Sequence, residues 1–160
     1  MTNLRPARKK VKALTNPVPG ERPLGDVLRE AHRALVVHLE HAIGQAGYDD
    51  VGAPHVSVLA TVDPNGTRLV DLAARGGRTK QATAELCAAL VRRGYVELQP
   101  DPTDGRAKLY VVTADGGRLL RACRDVVVDY DSWLQGLVGA EAIAQLRSIL
   151  ATIIERPVGE

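Results

Sequence analysis

The 160-residue sequence predicts a mainly α fold carrying one small β-hairpin. Three observations predict it. Most of the chain repeats apolar residues at three- and four-residue spacing, the period of a helix buried on one face. One stretch, Tyr95 to Gln99 and Lys108 to Thr113, instead reads as two strands around a turn rich in Pro, Asp and Gly. Aromatics are scarce, with no Phe, one Trp and four Tyr, so the core must be built from Leu, Val, Ala and Ile packed between helices. A polar helix followed at once by a basic-tipped hairpin is the layout of a winged helix-turn-helix. Such a helix enters a major groove while the hairpin reaches the next minor groove.

The elements follow in order. Residues 1–23 hold prolines, a glycine and a basic run, RPARKKVKALTNPVPGERP, and read as a flexible basic arm. The arm either tracks DNA phosphates or only keeps the chain in solution. Leu24 to about Ala46 predicts the first long helix, with Leu28, Ala31, Leu35, Leu39 and Ala42 on one stripe and Val36 and Ile43 widening it. Gly44 and Gly47 mark its end. Pro54 to Val62 predicts a short helix with proline in its first turn. Asp63-Pro64-Asn65-Gly66 has the composition of a turn. Thr67 to Ala74 predicts another short helix, capped by Thr67, with Leu69, Leu72 and Ala73 inward.

Arg75-Gly76-Gly77-Arg78 is a tight connection to the next helix, opened by Thr79 and closed by Gly94 after Arg93. The hairpin follows, with Val96 and Leu98 on one strand face, Leu109 and Val111 on one face of the other, and Asp104-Gly105-Arg106 at its tip. Thr113 caps a helix from about Ala114 to Leu137. After Gly139, Ala140 to Ile154 forms the last helix, striped by Ile143, Leu146, Ile149, Leu150 and Ile153. The expected domains are therefore the arm at 1–23, a winged helix-turn-helix at 47–113, and a helical dimerisation region at 24–46 and 114–155.

Charge supports a polyanion partner. The net charge is only +2, but residues 1–22 carry six basic groups against one acidic, and residues 68–108 carry eight against five. The arm and the winged helix are the two cationic zones. The chemistry of an enzyme is missing: there is no nucleophile elbow, phosphate loop, metal triad or dinucleotide fingerprint. Cys87 and Cys123 lie far apart, without metal-ligand spacing. No metal, cofactor or catalytic residue is expected. No signal segment opens the chain and no apolar run is long enough to span a bilayer, so a cytoplasmic protein without membrane contact is expected.

The run LVDLAARGGRTKQATAELCAALVRRGYVELQPDPTDGRAKLYVVTADGGRLL resembles the MarR family of transcriptional regulators. The carriers are Leu72-Ala73, Thr79, Cys87, Leu90, Gly94-Tyr95-Val96, Asp101-Pro102, Asp104, Arg106-Ala107, Thr113 and Gly116. Each piece is weak, but their order and spacing together are specific. The resemblance covers about residues 24–155. Two positions depart from it. Gly105 stands where many members carry a second arginine beside the wing-tip arginine. Ala84-Glu85 stands where many carry Thr-Arg on the exposed face of the recognition helix.

Helix geometry assigns Thr83, Leu86, Cys87 and Leu90 to packing. Thr79, Lys80, Gln81, Ala84 and Glu85 fall on the exposed N-terminal part that meets base edges. Lys80 supplies charge to a phosphate, and Gln81 offers a paired donor and acceptor to adenine. Glu85 pairs with a basic neighbour, accepts from a cytosine amino group, or weakens binding to an anionic duplex. Arg106 is the expected minor-groove residue, with Lys108, Arg75 and Arg78 as phosphate contacts. Asp104 holds the turn or orients Arg106.

The resemblance further implies a homodimer of interleaved terminal helices reading a pseudo-palindrome in double-stranded DNA. It also implies a small aromatic or phenolic effector, for which His32, His38, His41 and Trp133 are the candidate residues. The leading expectation is a ligand-responsive repressor. The alternative is a winged-helix module that docks another protein and binds DNA weakly or not at all, an idea that Glu85 and Gly105 keep open.

Overall fold

A computed structural model describes residues 22–155. The arm expected at residues 1–23 therefore lies almost wholly outside the described residues. The chain divides after Leu35 into two compact units. The first contains the N-terminal half of helix α1 (Leu24–Gln45). There Arg29 pairs with Asp26 at 2.5 Å, Arg33 lies 3.9 Å from Glu30, and Arg22 also pairs with Glu30. The two exposed pairs at three-residue spacing, Arg29–Asp26 and Arg33–Glu30, each add only about 0.2–0.5 kcal/mol to a helix.

The second unit begins in the C-terminal half of α1, which ends at a glycine turn where Gly47 adopts φ +92°. Helix α2 (Ala53–Leu59) follows, with Pro54 in its first turn. Two N–H groups at its start are held by side chains: Ala53 N–H donates to Glu40 Oε1 of α1 at 2.9 Å, and Gly52 N–H to Nδ1 of His55, in the helix's own first turn, at 3.3 Å. Strand β1 (Thr67–Arg68) and helix α3 (Leu69–Arg75) come next.

Thr67 was expected to cap that helix, and it does not. Its hydroxyl accepts the Asp63 N–H at 2.8 Å and is buried, while its backbone pairs with Tyr110 as a strand. The tight Asp63–Gly66 turn claims Thr67 before the helix can, and Arg68 takes the capping position.

Helix α4 (Lys80–Arg92), strands β2 (Val96–Asp101) and β3 (Asp104–Val112), then helices α5 (Ala114–Val138) and α6 (Ala140–Glu155) complete the chain. The sheet is antiparallel in the order β1-β3-β2. Its hairpin is longer and its turn tighter than the composition predicted. Asp101 pairs with Asp104, so Pro102 and Thr103 form the turn and Gly105-Arg106 belong to β3. The Asp101 carboxylate takes the N–H and hydroxyl of Thr103, and this local closure replaces the long loop. Val96 is buried, but Leu98 on the same face is 48% exposed, because the hairpin runs out beyond the core.

The core sits where α2, α3, α4, the base of the hairpin and α5 meet. Leu59, Leu72, Leu90 and Leu119 are fully buried there, with Val58, Cys87 and Val96 around them. Fully burying one such side chain stabilises by about 1.5–3 kcal/mol. Two links fix the end of α4 against α5. Thr113 caps α5 by accepting the Gly116 N–H at 3.1 Å and donates its hydroxyl to Gly94 O at 2.6 Å. Gly116 lies so close to Tyr95 that a Cβ there would be 2.1 Å from the Tyr95 carbonyl oxygen.

Candidate nucleic-acid interface

The α3–α4 connection turns on Gly77, at φ +59°, a left-handed conformation that suits glycine. Thr79 then caps α4 by accepting the Ala82 N–H at 3.2 Å. One face of α4 is fixed to the core by buried Thr83, Cys87 and Leu90, with Leu86 half-buried. Burial holds the Cys87 thiol protonated, its pKa pushed up to about 11. The Thr83 hydroxyl donates to Thr79 O at 3.0 Å, so this polar group is buried without cost.

The opposite face carries Thr79, Lys80, Gln81 and Glu85 in the open, with Ala84 half-buried between them. Gln81 Nε2 donates to Glu85 Oε1 at 3.4 Å, a long bond one helical turn apart. Glu85 thus has a neutral neighbour rather than the basic one considered from the sequence.

On the wing, Arg106 and Lys108 are exposed, and Arg106 lies in the stretch of β3 between Asp104 and Lys108 where the register with β2 shifts. The Arg106 N–H donates to Asp104 Oδ1 at 3.1 Å, so Asp104 shapes the backbone that presents Arg106. Among the described residues, Lys80, Arg106 and Lys108 form no ion pair.

Arg75 is differently placed. Its guanidinium donates to Thr61 O at 2.8 Å and to the Asp63 carboxylate at 2.7 Å, tying the end of α3 to the loop after α2. That hydrogen bond holds the Asp63 carboxyl below the usual carboxylate range. Arg75's charge is therefore largely spent within the protein. Arg78 reaches the Ser57 hydroxyl at 3.4 and 3.5 Å, its hydrogen-bond partner among the described residues.

Residues 49–107 match the sequence profile of the MarR family. The chain is 30% identical over 93 residues to the transcriptional regulator HosA of Escherichia coli O111:H-, an alignment covering 58% of this chain and 69% of HosA. This chain belongs to the MarR family. It is a MarR-family transcriptional regulator, and the family is one of regulators rather than enzymes.

Solved structures show the same fold. The transcriptional repressor CouR, bound to a 23-mer DNA duplex, has a TM-score of 0.71 at 24% identity, over 82% of this chain and 92% of CouR. Apo MarR from E. coli has a TM-score of 0.68 at 23% identity, over 83% and 98%. The regulator PcaV from Streptomyces coelicolor, in complex with its natural ligand, has a TM-score of 0.67 at 20% identity, over 88% and 98%.

In this MarR-family chain the effector candidates fall in different places. His32 is exposed on the first unit. His38 and Trp133 come together in the second, stacked at 6.4 Å with Tyr130 5.0 Å from His38 and 5.4 Å from Trp133. Tyr130, half-buried, completes an aromatic trio whose third member sequence reasoning missed, since α1 and α5 meet here only in three dimensions. A separate apolar cavity of about 240 Å³ is lined by Leu39, Ile43, Ala53, Val56, Cys123 and Val127, with Glu40 and Ser57 as its polar groups. Among the described residues no group of three or more His, Cys, Asp or Glu side chains could hold a metal ion. No single described helix is long and apolar enough to cross a membrane.

Three further contacts escaped the sequence reading. The Tyr95 hydroxyl donates to Asp50 Oδ1 at 3.0 Å, and Arg93 Nε lies 3.4 Å from the same carboxylate. Arg68 pairs with buried Asp101 at the wing turn. The partners are 33 to 45 residues apart, and only the Asp-x-Thr pattern at 101–103, an Asx-turn signature, had a local signal.

Proposed function

We propose that this chain is a sequence-specific repressor that binds double-stranded DNA as a homodimer and is released by a small apolar effector. The carrying observation is the exposed row Thr79, Lys80, Gln81 and Glu85 on a capped helix whose other face is locked in the core, followed directly by a wing presenting exposed Arg106 and Lys108. Helix α4 enters the major groove, Arg106 the adjacent minor groove, and Lys80 and Lys108 meet phosphates. Arg78 adds a phosphate contact, whereas Arg75 stays with Asp63. Ala84 offers a methyl group to a thymine edge rather than a polar contact. One lobe reads few base pairs, so a symmetric pair selects a pseudo-palindrome with half-sites about one helical turn apart.

The cavity between α1, α2 and α5 supports the effector. At about 240 Å³ it exceeds the roughly 150 Å³ that holds benzene and falls short of a drug-sized pocket. A single-ring phenolic fits that range. His38 and Trp133 offer an aromatic surface for a second contact mode.

The test is selection of bound duplexes from genomic fragments, with and without single-ring phenolics, followed by titration of the best duplex against salt. A DNA reader loses affinity steeply as salt rises, through counterion release. Recovery of no sequence preference, with binding indifferent to salt, would favour the protein-docking alternative that exposed Glu85 keeps open.

A further inference from the structure

Arg68 lies outside the exposed row on α4 and the cations of the wing, yet it makes the most complete polar site at the wing turn. Asp101, the last residue of β2, is only 5% exposed. Its Oδ1 accepts the Thr103 N–H at 2.8 Å and the Thr103 hydroxyl at 2.6 Å. Its Oδ2 accepts Arg68 Nε at 2.6 Å, with Arg68 Nη2 at 2.5 Å from the same oxygen and 3.3 Å from the Thr103 hydroxyl. The Thr103 bonds first, and Arg68 after them, hold the Asp101 carboxyl at about 2, so it stays ionised at any working pH. Strand β3 lies between β1 and β2. Arg68 therefore reaches across β3 and joins the outer edge of the sheet to the wing turn.

The backbone ladder of β2 and β3 runs in register from the Val96–Val112 pair to the Pro100–Lys108 pair and shifts before the Asp101–Asp104 pair at the turn. What the ladder does not fix is the angle at which a two-stranded ribbon leaves the core, since such ribbons twist freely. A link from β1 to the turn removes that freedom. Arg106 lies five residues after Asp101, on the strand leaving the braced turn.

We propose that Arg68, acting through Asp101, is a positioning residue that sets the pitch of the wing and so delivers Arg106 to the minor groove. This rests on the reading of the wing as a DNA contact. A direct role for Arg68, as one more cation on a phosphate, is the competing account. The two differ in sign at Asp101. Removing that carboxylate frees Arg68 for a phosphate and tightens binding in the direct account, but slackens the wing and weakens binding in the positioning account.

The experiment uses the full chain and the tightest duplex recovered by genomic selection. Affinity is measured for wild type, R106A, R68A, R68A/R106A and D101N, with melting temperatures alongside. D101N keeps an acceptor for Thr103 and so preserves the fold better than R68A. Positioning predicts that R68A and D101N each weaken binding several-fold, approaching the roughly tenfold expected of R106A. It also predicts that R68A/R106A binds about as R106A does, because the two losses are one event. The salt slope should fall by about one in R106A and no further in the double variant.

Tighter binding by D101N overturns the proposal, as do additive losses. A drop in melting temperature with the full cost of R106A retained in the R68A background also overturns it, leaving a merely structural bridge. If R106A alone binds as wild type does, the reading of the wing fails instead, and this inference falls with it.

Discussion

His55 sits half-buried in the first turn of α2 and accepts the Gly52 N–H at Nδ1, so that nitrogen must be unprotonated. Burial, and then the Arg93 guanidinium, push its pKa below the ordinary 6.5, with Asp50 opposing them. The folded state thus binds fewer protons at this site than the unfolded chain. Its contribution to stability is present above 6.5 and is lost as pH falls through that value toward the lower folded pKa. The melting temperature should fall on acidification from about pH 7.5 to 5.5, and His55→Gln should flatten that slope; equal slopes would sink this account. On the wing, Arg106→Ala should leave the melting temperature unchanged, because the side chain is exposed and forms no ion pair among the described residues, while weakening duplex binding about five- to tenfold. A mobility-shift titration with unchanged affinity would remove Arg106 from the interface.

Between elements, the junction of α4, the hairpin and α5 is the least adjustable part of the fold. Tyr95 is its hub: its carbonyl accepts the Thr113 N–H at 3.1 Å, its N–H donates to Leu90 O at 3.0 Å, and its hydroxyl reaches Asp50. Gly116→Ala places a methyl 2.1 Å from that carbonyl and 2.9 Å from Val112 Cγ1. Bonded backbone cannot give way as a flexible side chain would. The substitution should cost at least about 1–3 kcal/mol in urea unfolding; a loss below about 0.5 kcal/mol would mean that the junction is soft. Helical periods and caps made these elements legible in sequence: Thr79 and Thr113 open helices and Gly94 closes one, as their types predict. The exposure of Lys80 and Gln81 was legible because a cap followed by a core stripe leaves only one face open. Thr67 was misread because a hydroxyl can serve a turn or a helix, and Asp63 decides which. Arg68–Asp101 and Asp50–Tyr95 were illegible because their partners meet only after the sheet and helices pack.

For the molecule as a whole, the exposed large apolar residues lie mainly on α1, α5 and α6. Leu146, Ile149 and Ile153 of α6 are each about half exposed, at helical spacing on one stripe, and Leu137 and Val138 end α5 at 64% and 52%. A stable chain rarely leaves such a row in water unless another surface covers it. A second copy fits this need, since a twofold interface covers the same stripe on both partners and also supplies the two lobes that a pseudo-palindrome requires. Light scattering at micromolar concentration should then report about twice the 17.2 kDa of one chain. Ile149→Glu with Ile153→Glu should yield the single-chain mass, because a buried unpaired carboxylate costs several kcal/mol per site. The double variant should keep its helical signal, as Leu59, Leu72, Leu90 and Leu119 belong to a core cluster that contains no residue of α6. Its DNA affinity should collapse toward that of a single half-site, whatever the intact state of Lys80, Gln81 and Arg106. A monomeric wild type, or a charged variant that still dimerises, would move the interface off α6.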